Sequence, residues 1–395
     1  MIYYPFTLPR KKQLHNIKNE EKNMAQGRIR WGILGTSPIA KTVCEAITKS
    51  RTGVVAAIGS RTLDKALQLG EMVTTAFPDT AVLIACDYAK ILEDNTIDAI
   101  YIALPNALHA EWILKSLAAG KHVLCEKPFV ISLPQMLAVK TEALGKPGLF
   151  CMEALMYRCH PVIKKLMSVV HAENKIGDIL KYTASYTANI RHLANPVEGG
   201  AIRNLGCYPV SLVRLLARAE PIKIKGKGVI DSTQANDSSA EVRLDFSDSS
   251  VATIKVADDR EMEWKFEIEG TEGTIEFLDN PWKPEDALPT RFILKNKDGQ
   301  QTISAIATQR LYSLEIDNLG FSVWNKQFSA GADVSLDDSM GNVAVIETWR
   351  NRVFEKNFGA TIGNYLHTHG QFSHSRVPPA NESNTSIVQH TASPK

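Results

Sequence analysis

Ile29-Arg30-Trp31-Gly32-Ile33-Leu34-Gly35-Thr36-Ser37-Pro38-Ile39-Ala40 changes pattern half-way along. Up to Gly35 it reads as a strand buried on both faces. From Thr36 on it opens a helix that runs to about Ser50, with Ser37 expected as N-cap and Pro38 in the first turn. Gly35-x-Ser37-x-x-Ala40 stands where a dinucleotide fingerprint has G-x-G-x-x-G/A. Gly35 makes the tight turn, Ala40 lets helix and strand approach, and the helix N-terminus offers N–H groups to a pyrophosphate. Gly35, Thr36, Ser37, Ile39 and Ala40 are therefore candidate cofactor contacts. Ser37 replaces the middle glycine, and a strand–turn–helix without a ligand would carry the same residues.

The next unit bears on that choice. Val54–Gly59 is a second apolar strand, and it ends in Ser60-Arg61-Thr62. An NAD site places Asp or Glu here for the ribose diol. A hydroxyl followed by a guanidinium suits a 2′-phosphate instead, so Ser60 and Arg61 favour NADP, with NAD as the lesser option. A helix follows from about Leu63 to Thr75, then a short one after Asp87. The strand Ile97–Leu104 ends in Pro105-Asn106 with His109 close by, and a helix from about Leu108 to Ala119 stops at Gly120. His109 fits either a ligand contact or a helix-start role. Lys121–Cys125 is the next strand and leads into Glu126-Lys127-Pro128. Pro128 removes a donor and keeps Lys127 out of helical geometry. Alone, Lys127 could be an ordinary solvated loop lysine. The β-α-β alternation predicts a doubly wound parallel sheet, with Leu104, Pro105, Asn106, Glu126 and Lys127 at carboxyl ends of strands, where such sheets bind ligands.

Composition fits a soluble globular chain of 395 residues, 44% apolar and 22% charged. A net charge of +2 gives no reason to expect nucleic acid or a membrane surface. Cys44, Cys86, Cys125, Cys151, Cys159 and Cys207 are scattered, as reduced thiols in a cytoplasmic protein would be. No run reaches the ~18 apolar residues of a membrane span, and no His/Cys/carboxylate cluster has metal spacing. Residues 1–27 are polar and basic, and they read as a flexible extension; Met24 is an alternative start. Residues 361–395 read as a disordered polar tail.

These motifs in this order resemble the Gfo/Idh/MocA family of pyridine-nucleotide oxidoreductases: Trp31–Thr36, Leu104-Pro105-Asn106 with His109, and Glu126-Lys127-Pro128. Glu153–Pro161 resembles the family's crossing segment, and Gly199–Pro209 with Asn189-Ile190-Arg191 its substrate-side motif. Glu269–Thr274 and Asp338-Ser339 with Asn342 also match, so the resemblance spans about residues 28–356. Cys207-Tyr208-Pro209 resembles the branch of glucose–fructose oxidoreductase, dimeric dihydrodiol dehydrogenase and NADP-dependent xylose dehydrogenase. The resemblance implies a Rossmann domain (28–150) followed by an α+β domain (151–360) with a large, mostly antiparallel open sheet, and a homodimer or higher homo-oligomer.

It also implies that Tyr208 is the general acid/base and Lys127 its partner, acting on a CH–OH group of a sugar or cyclic diol with NADP. Phenol titrates near ~10, and a nearby ammonium is expected to lower that value. Asn189, Arg191 and Asn204 are the candidate substrate contacts. Asn204 stands where the family has Asp, which leaves substrate scope open. Two alternatives stand beside this reading: a 3-ketoreductase of a nucleotide-linked deoxysugar, and a catalytically silent NADP-binding sensor. In the second half, strands are expected at Ile179–Ala188, Lys223–Ile230, Ala240–Phe246, Ser250–Ala257, Trp264–Glu269 and Gly273–Leu278. Helices are expected near Pro209–Ala217 and Asp337–Phe354.

Overall fold

A computed structural model describes residues 27–76, 82–195, 197–328 and 333–358, and the backbone of Val388–His390. The expected extension at 1–27 and tail at 361–395 lie almost wholly outside these residues. The first domain alternates β1 (Ile29–Leu34), α1 (Pro38–Lys49), β2 (Gly53–Gly59), α2 (Leu63–Ala76), β3 (Val82–Ala85), α3 (Tyr88–Glu93), β4 (Ala99–Ile102), α4 (His109–Ala118), β5 (His122–Glu126), α5 (Leu133–Leu144) and β6 (Cys151–Ala154). Its strands lie in the order β3-β2-β1-β4-β5-β6, all parallel. Val388–His390 pairs antiparallel to β3 at the edge. This is the doubly wound order, and its switch point lies between β1 and β4. Trp31, Ile33 and Tyr101 are buried on one face of the sheet and Leu34, Ile100 and Cys125 on the other, which is why these strands read as unbroken apolar runs.

A crossing segment that includes α6 (Pro161–Met167) leads to β7 (Ile179–Thr187), then α7 (Cys207–Ala217), β8 (Lys223–Asp231), β9 (Asn236–Asp245), β10 (Val251–Ala257), β11 (Glu263–Gly270), β12 (Gly273–Phe277), β13 (Pro289–Asn296) and β14 (Gly299–Ile306). The second sheet runs β14-β13-β12-β11-β7-β10-β9-β8. All its pairs are antiparallel except β7 with β10. One face is buried by Tyr182, Ala184, Ile254, Phe266 and Phe292. The other carries ion pairs such as Lys255–Glu241 and Lys265–Glu267.

Two helices close the chain, α8 (Leu311–Asn325) and α9 (Leu336–Phe358). The strands β13 and β14 and the helix α8 were not expected. Although α8 follows the second sheet, Ile316 and Leu319 enter the core of the first domain beside α1. Asp317, 1% exposed, fixes that docking. It accepts from the Arg51 and Thr52 backbone N–H groups at 2.8 and 3.0 Å, from Thr52 Oγ1 at 3.0 Å and from Gln309 Nε2 at 2.9 Å. Asp317→Ala takes this acceptor from the buried Thr52 N–H and breaks the other three bonds. It is expected to cost about 3 kcal/mol of unfolding free energy, read from a urea transition.

Candidate active site

The turn after β1 is closed by backbone geometry. Gly35 sits at φ +109°, and a Cβ there would lie 2.6 Å from the Ala103 carbonyl oxygen. Only glycine fits both conditions. Ser37 precedes α1 but makes no side-chain cap, contrary to expectation; its hydroxyl donates to the Ala103 carbonyl at 3.2 Å. The first-turn N–H groups therefore have no side-chain acceptor and stay available to an anion. Thr36 Oγ1 and Ser60 Oγ lie 3.2 Å apart, and the Thr62 N–H donates to Ser60 Oγ at 3.2 Å. This joins the ends of β1 and β2 into one rim. Arg61 is exposed on that rim beside Tyr88, whose phenol burial holds above its ordinary pKa while Arg61 pulls the other way. Ile39 packs on the core and Ala40 is fully buried against it, as close helix–sheet contact requires. The glycine cradle, open helix end and hydroxyl-plus-guanidinium rim fit a dinucleotide phosphate group.

At the end of β4, Leu104 is buried and Pro105 exposed. The Asn106 side chain donates to the Glu198 carbonyl at 2.9 Å, and the Ala107 N–H to the Glu198 carboxylate at 3.2 Å. Glu198, from the second domain, thus closes over this loop. Nothing in its spacing singled it out beforehand except its place ahead of Gly199-Gly200. His109 points into the protein. It is fully buried, with Nδ1 2.9 Å from the Pro128 carbonyl and Nε2 2.9 Å from the Leu104 carbonyl. Burial holds its pKa below the usual value. The ring therefore braces the two cofactor-side loops from behind. His160 is likewise buried, with Nδ1 accepting from the Val162 N–H at 3.1 Å, and burial lowers it to about 4.

Glu126 and Lys127 leave β5 toward the second domain. Tyr101 donates to Glu126 Oε1 at 2.5 Å. Burial raises the Glu126 carboxyl, while Lys127 and Tyr101 act against that rise. Lys127 Nζ donates to the Asn204 carbonyl at 3.0 Å and lies 5.2 Å from the centre of the Tyr208 ring. Asn204 belongs to a wide π-type turn, Ile202–Gly206, that runs straight into α7, a distortion common at functional sites. Tyr208 is 8% exposed at the start of α7, with the rings of Tyr186 and Tyr157 edge-on at 5.8 and 6.3 Å.

The expected lowering of the Tyr208 pKa is not what these surroundings produce. Burial pushes the phenol well above its ordinary value, and Tyr312, Cys207, Glu126 and Tyr186 push the same way. The Lys127 ammonium lies over the ring face and spends a hydrogen bond on Asn204, so the group is held as a neutral phenol. Two further buried acids were not singled out as site residues in the sequence. Glu315 on α8 is 3% exposed, and burial and Glu126 raise it far above the carboxylate range. The other is Glu153 on β6, also buried. Asn189 and Arg191 lie exposed on the loop after β7, and Arg191 is ion-paired with Asp231. Lys127 meets both the Tyr208 ring and the Asn204 main-chain carbonyl, while the Asn204 side-chain amide donates to the Gly199 carbonyl at 3.5 Å.

Two family models match this chain. Residues 29–153 fit an oxidoreductase family with an NAD-binding Rossmann fold, and residues 165–276 fit the GFO/IDH/MocA C-terminal domain. The chain belongs to the Gfo/Idh/MocA oxidoreductase family. An uncharacterized oxidoreductase from Rhizobium meliloti is 30% identical over 327 residues, covering 80% of this chain and 95% of the relative. A D-xylose 1-dehydrogenase (NADP(+)) from Haloferax volcanii is 29% identical over 259 residues, 62% of this chain and 74% of the relative. Among solved structures, a 3-ketoreductase from Actinomadura kijaniata in complex with NADP and TDP-benzene superposes with a TM-score of 0.73. It covers 83% of this chain and 98% of that one at 24% identity, which speaks for the fold alone. The first domain of this Gfo/Idh/MocA protein is thus an NAD(P)-binding Rossmann domain. Among the described residues no cluster could hold a metal ion, and no helix is long and apolar enough to cross a membrane.

Proposed function

We propose that this oxidoreductase interconverts a hydroxyl and a carbonyl on a sugar or cyclic diol, with NADP as the redox partner. The observation that carries the proposal is the Lys127 ammonium over the Tyr208 ring, at the edge of the sheet where the Gly35 cradle opens. NADP, when bound, supplies or accepts the hydride. The protein's part is the proton. In reduction, the Tyr208 phenol donates to the carbonyl oxygen while Lys127 stabilises the charge that builds there. In oxidation the same oxygen takes the proton of the hydroxyl. The aromatic wall of Tyr157 and Tyr186 keeps bulk water from the phenol. In this reading Asn204 orients a substrate hydroxyl, with Asn189 and Arg191 as further substrate contacts. A homodimer or higher homo-oligomer in the cytoplasm belongs to the same reading.

The test is to incubate the pure protein with NADP or NADPH and a panel of aldoses, cyclic diols and nucleotide-linked ketosugars, following the reduced-nicotinamide absorbance. Turnover of an aldose or diol supports the proposal, and turnover of the ketosugars alone favours a ketoreductase. Tight NADPH binding without turnover on any member overturns the enzyme reading. For cofactor choice, Arg61→Ala is expected to weaken NADP about 10–100-fold, the worth of a charge-assisted contact to the 2′-phosphate, and NAD hardly at all. Fluorescence titration with the two reduced cofactors measures this.

A further inference from the structure

Lys127 and Tyr208 come from different domains, so something must hold their spacing. We propose that Glu153 is a positioning residue for Lys127, the first link of a buried hydrogen-bonded chain that ties the Lys127–Phe129 turn to the helix carrying Tyr208. The proposal rests on the reading of Lys127 and Tyr208 as the reacting pair.

Glu153 lies at the end of β6, in register with Cys125 on β5, and is 2% exposed. Oε1 accepts from the Phe129 N–H at 3.1 Å, two residues beyond Lys127. Oε2 accepts from Ser339 Oγ at 3.0 Å and Asn342 Nδ2 at 3.4 Å, both on α9. The Oδ1 of the same Asn342 accepts from Arg214 at 2.6 Å, and Arg214 sits on α7 with Tyr208. Asp338 doubles the second half, accepting from Arg214 at 2.9 Å and from Arg158 of the crossing segment at 2.8 Å. The chain runs Phe129, Glu153, Asn342, Arg214, and then along α7 to Tyr208. Each buried polar group in it is engaged, which makes such a network stiff and costly to break.

The network also has a pH dependence. Titratable groups around Glu153 are Cys125 on β5, Cys207 at the start of α7, and Asp338 and Glu347 on α9. Burial, with a lesser push from Asp338, raises Glu153 to about 7, against the pull of its three donors. Above that pH the carboxylate accepts from all three. Below it, one oxygen carries a hydrogen and faces donors, so the strap loosens as pH falls.

Glu153→Gln, Ser339→Ala and the wild type are compared by pH profile of kcat, KM, NADPH affinity and hydrogen exchange at the Phe129 amide. Wild type is expected to show an acid limb in kcat near pH 7 and loss of Phe129 protection over the same range. Glu153→Gln is expected to lower kcat about 10²-fold, the scale of an ~1 Å misplacement, with KM and NADPH affinity nearly unchanged and the limb gone. Ser339→Ala removes one donor to the carboxylate, so its limb moves to higher pH with a smaller loss of kcat. Wild-type kcat in Glu153→Gln with the limb intact, or identical Phe129 exchange in the two proteins, overturns the positioning role. A wild type that turns over nothing refutes the functional reading instead, and the exchange measurement still decides the role of Glu153.

Discussion

Tyr208→Phe is expected to lower kcat by about 10²–10⁴-fold, the range over which a positioned proton donor contributes. NADPH affinity should stay within a few-fold of wild type. The phenyl ring keeps the packing against Tyr157 and Tyr186, so the fold loses only the hydroxyl. The phenol also dictates how rate depends on pH. Burial and the neighbouring Tyr312, Cys207 and Glu126 hold it well above its ordinary pKa. Reduction uses the protonated form, so its rate should be level across neutral pH on the Tyr208 side. Oxidation uses the deprotonated form, so kcat/KM for a hydroxyl substrate should climb with rising pH, about tenfold per unit while the phenol stays mostly protonated. Parallel pH profiles in the two directions, compared with Tyr208→Phe, measure this.

Lys127→Met is the second large effect. Methionine keeps an apolar stem of similar reach but removes the charge over the Tyr208 ring and the donor to the Asn204 carbonyl. Loss of about 10²–10³-fold in kcat is expected, comparable to removal of one preorganised donor at a developing oxyanion. The alkaline rise of the oxidation reaction should move further up, because a cation near the phenol favours its charged form. A stability change alone would leave that midpoint where it was.

Much of the first domain is legible because parallel strands covered on both faces must be apolar throughout. Val54–Ile58 and Ala99–Ile102 show this, and Gly35 marks a turn no other residue can make. Lys127 and Tyr208 are legible through the order of the family motifs. The helix α8 is not, because the sides it buries carry Ser313, Glu315, Asp317 and Ser322. Ser313 and Asp317 bond to the first domain, Ser322 to Asp333, and burial raises the Glu315 carboxyl, so polar residues stand on buried sides and erase the 3.6-residue apolar period. The strand β14 fails for a different reason. It is an edge strand, Gly-Gln-Gln-Thr-Ile-Ser-Ala-Ile, mostly exposed on both faces, so no alternation survives. His109 fits either a ligand contact or a helix-start role by sequence, because its motif adjoins the cofactor loop; three-dimensional packing sets its ring between two carbonyls. The upward push on the Tyr208 phenol was not legible, because burial and the neighbouring Tyr312, Cys207, Glu126 and Tyr186 come from parts of the chain distant in sequence.

We propose that Lys127 and Tyr208, from two domains, form one proton-transfer site beside a bound nicotinamide. Its most direct test is single-turnover oxidation of enzyme-bound NADPH, by rapid mixing with a carbonyl product of the substrate panel, in wild type, Lys127→Met and Tyr208→Phe. All three are expected to bind NADPH within a few-fold of one another, and only the wild type to oxidise it at a catalytic rate. Oxidation in Tyr208→Phe at the wild-type rate would contradict this proposal.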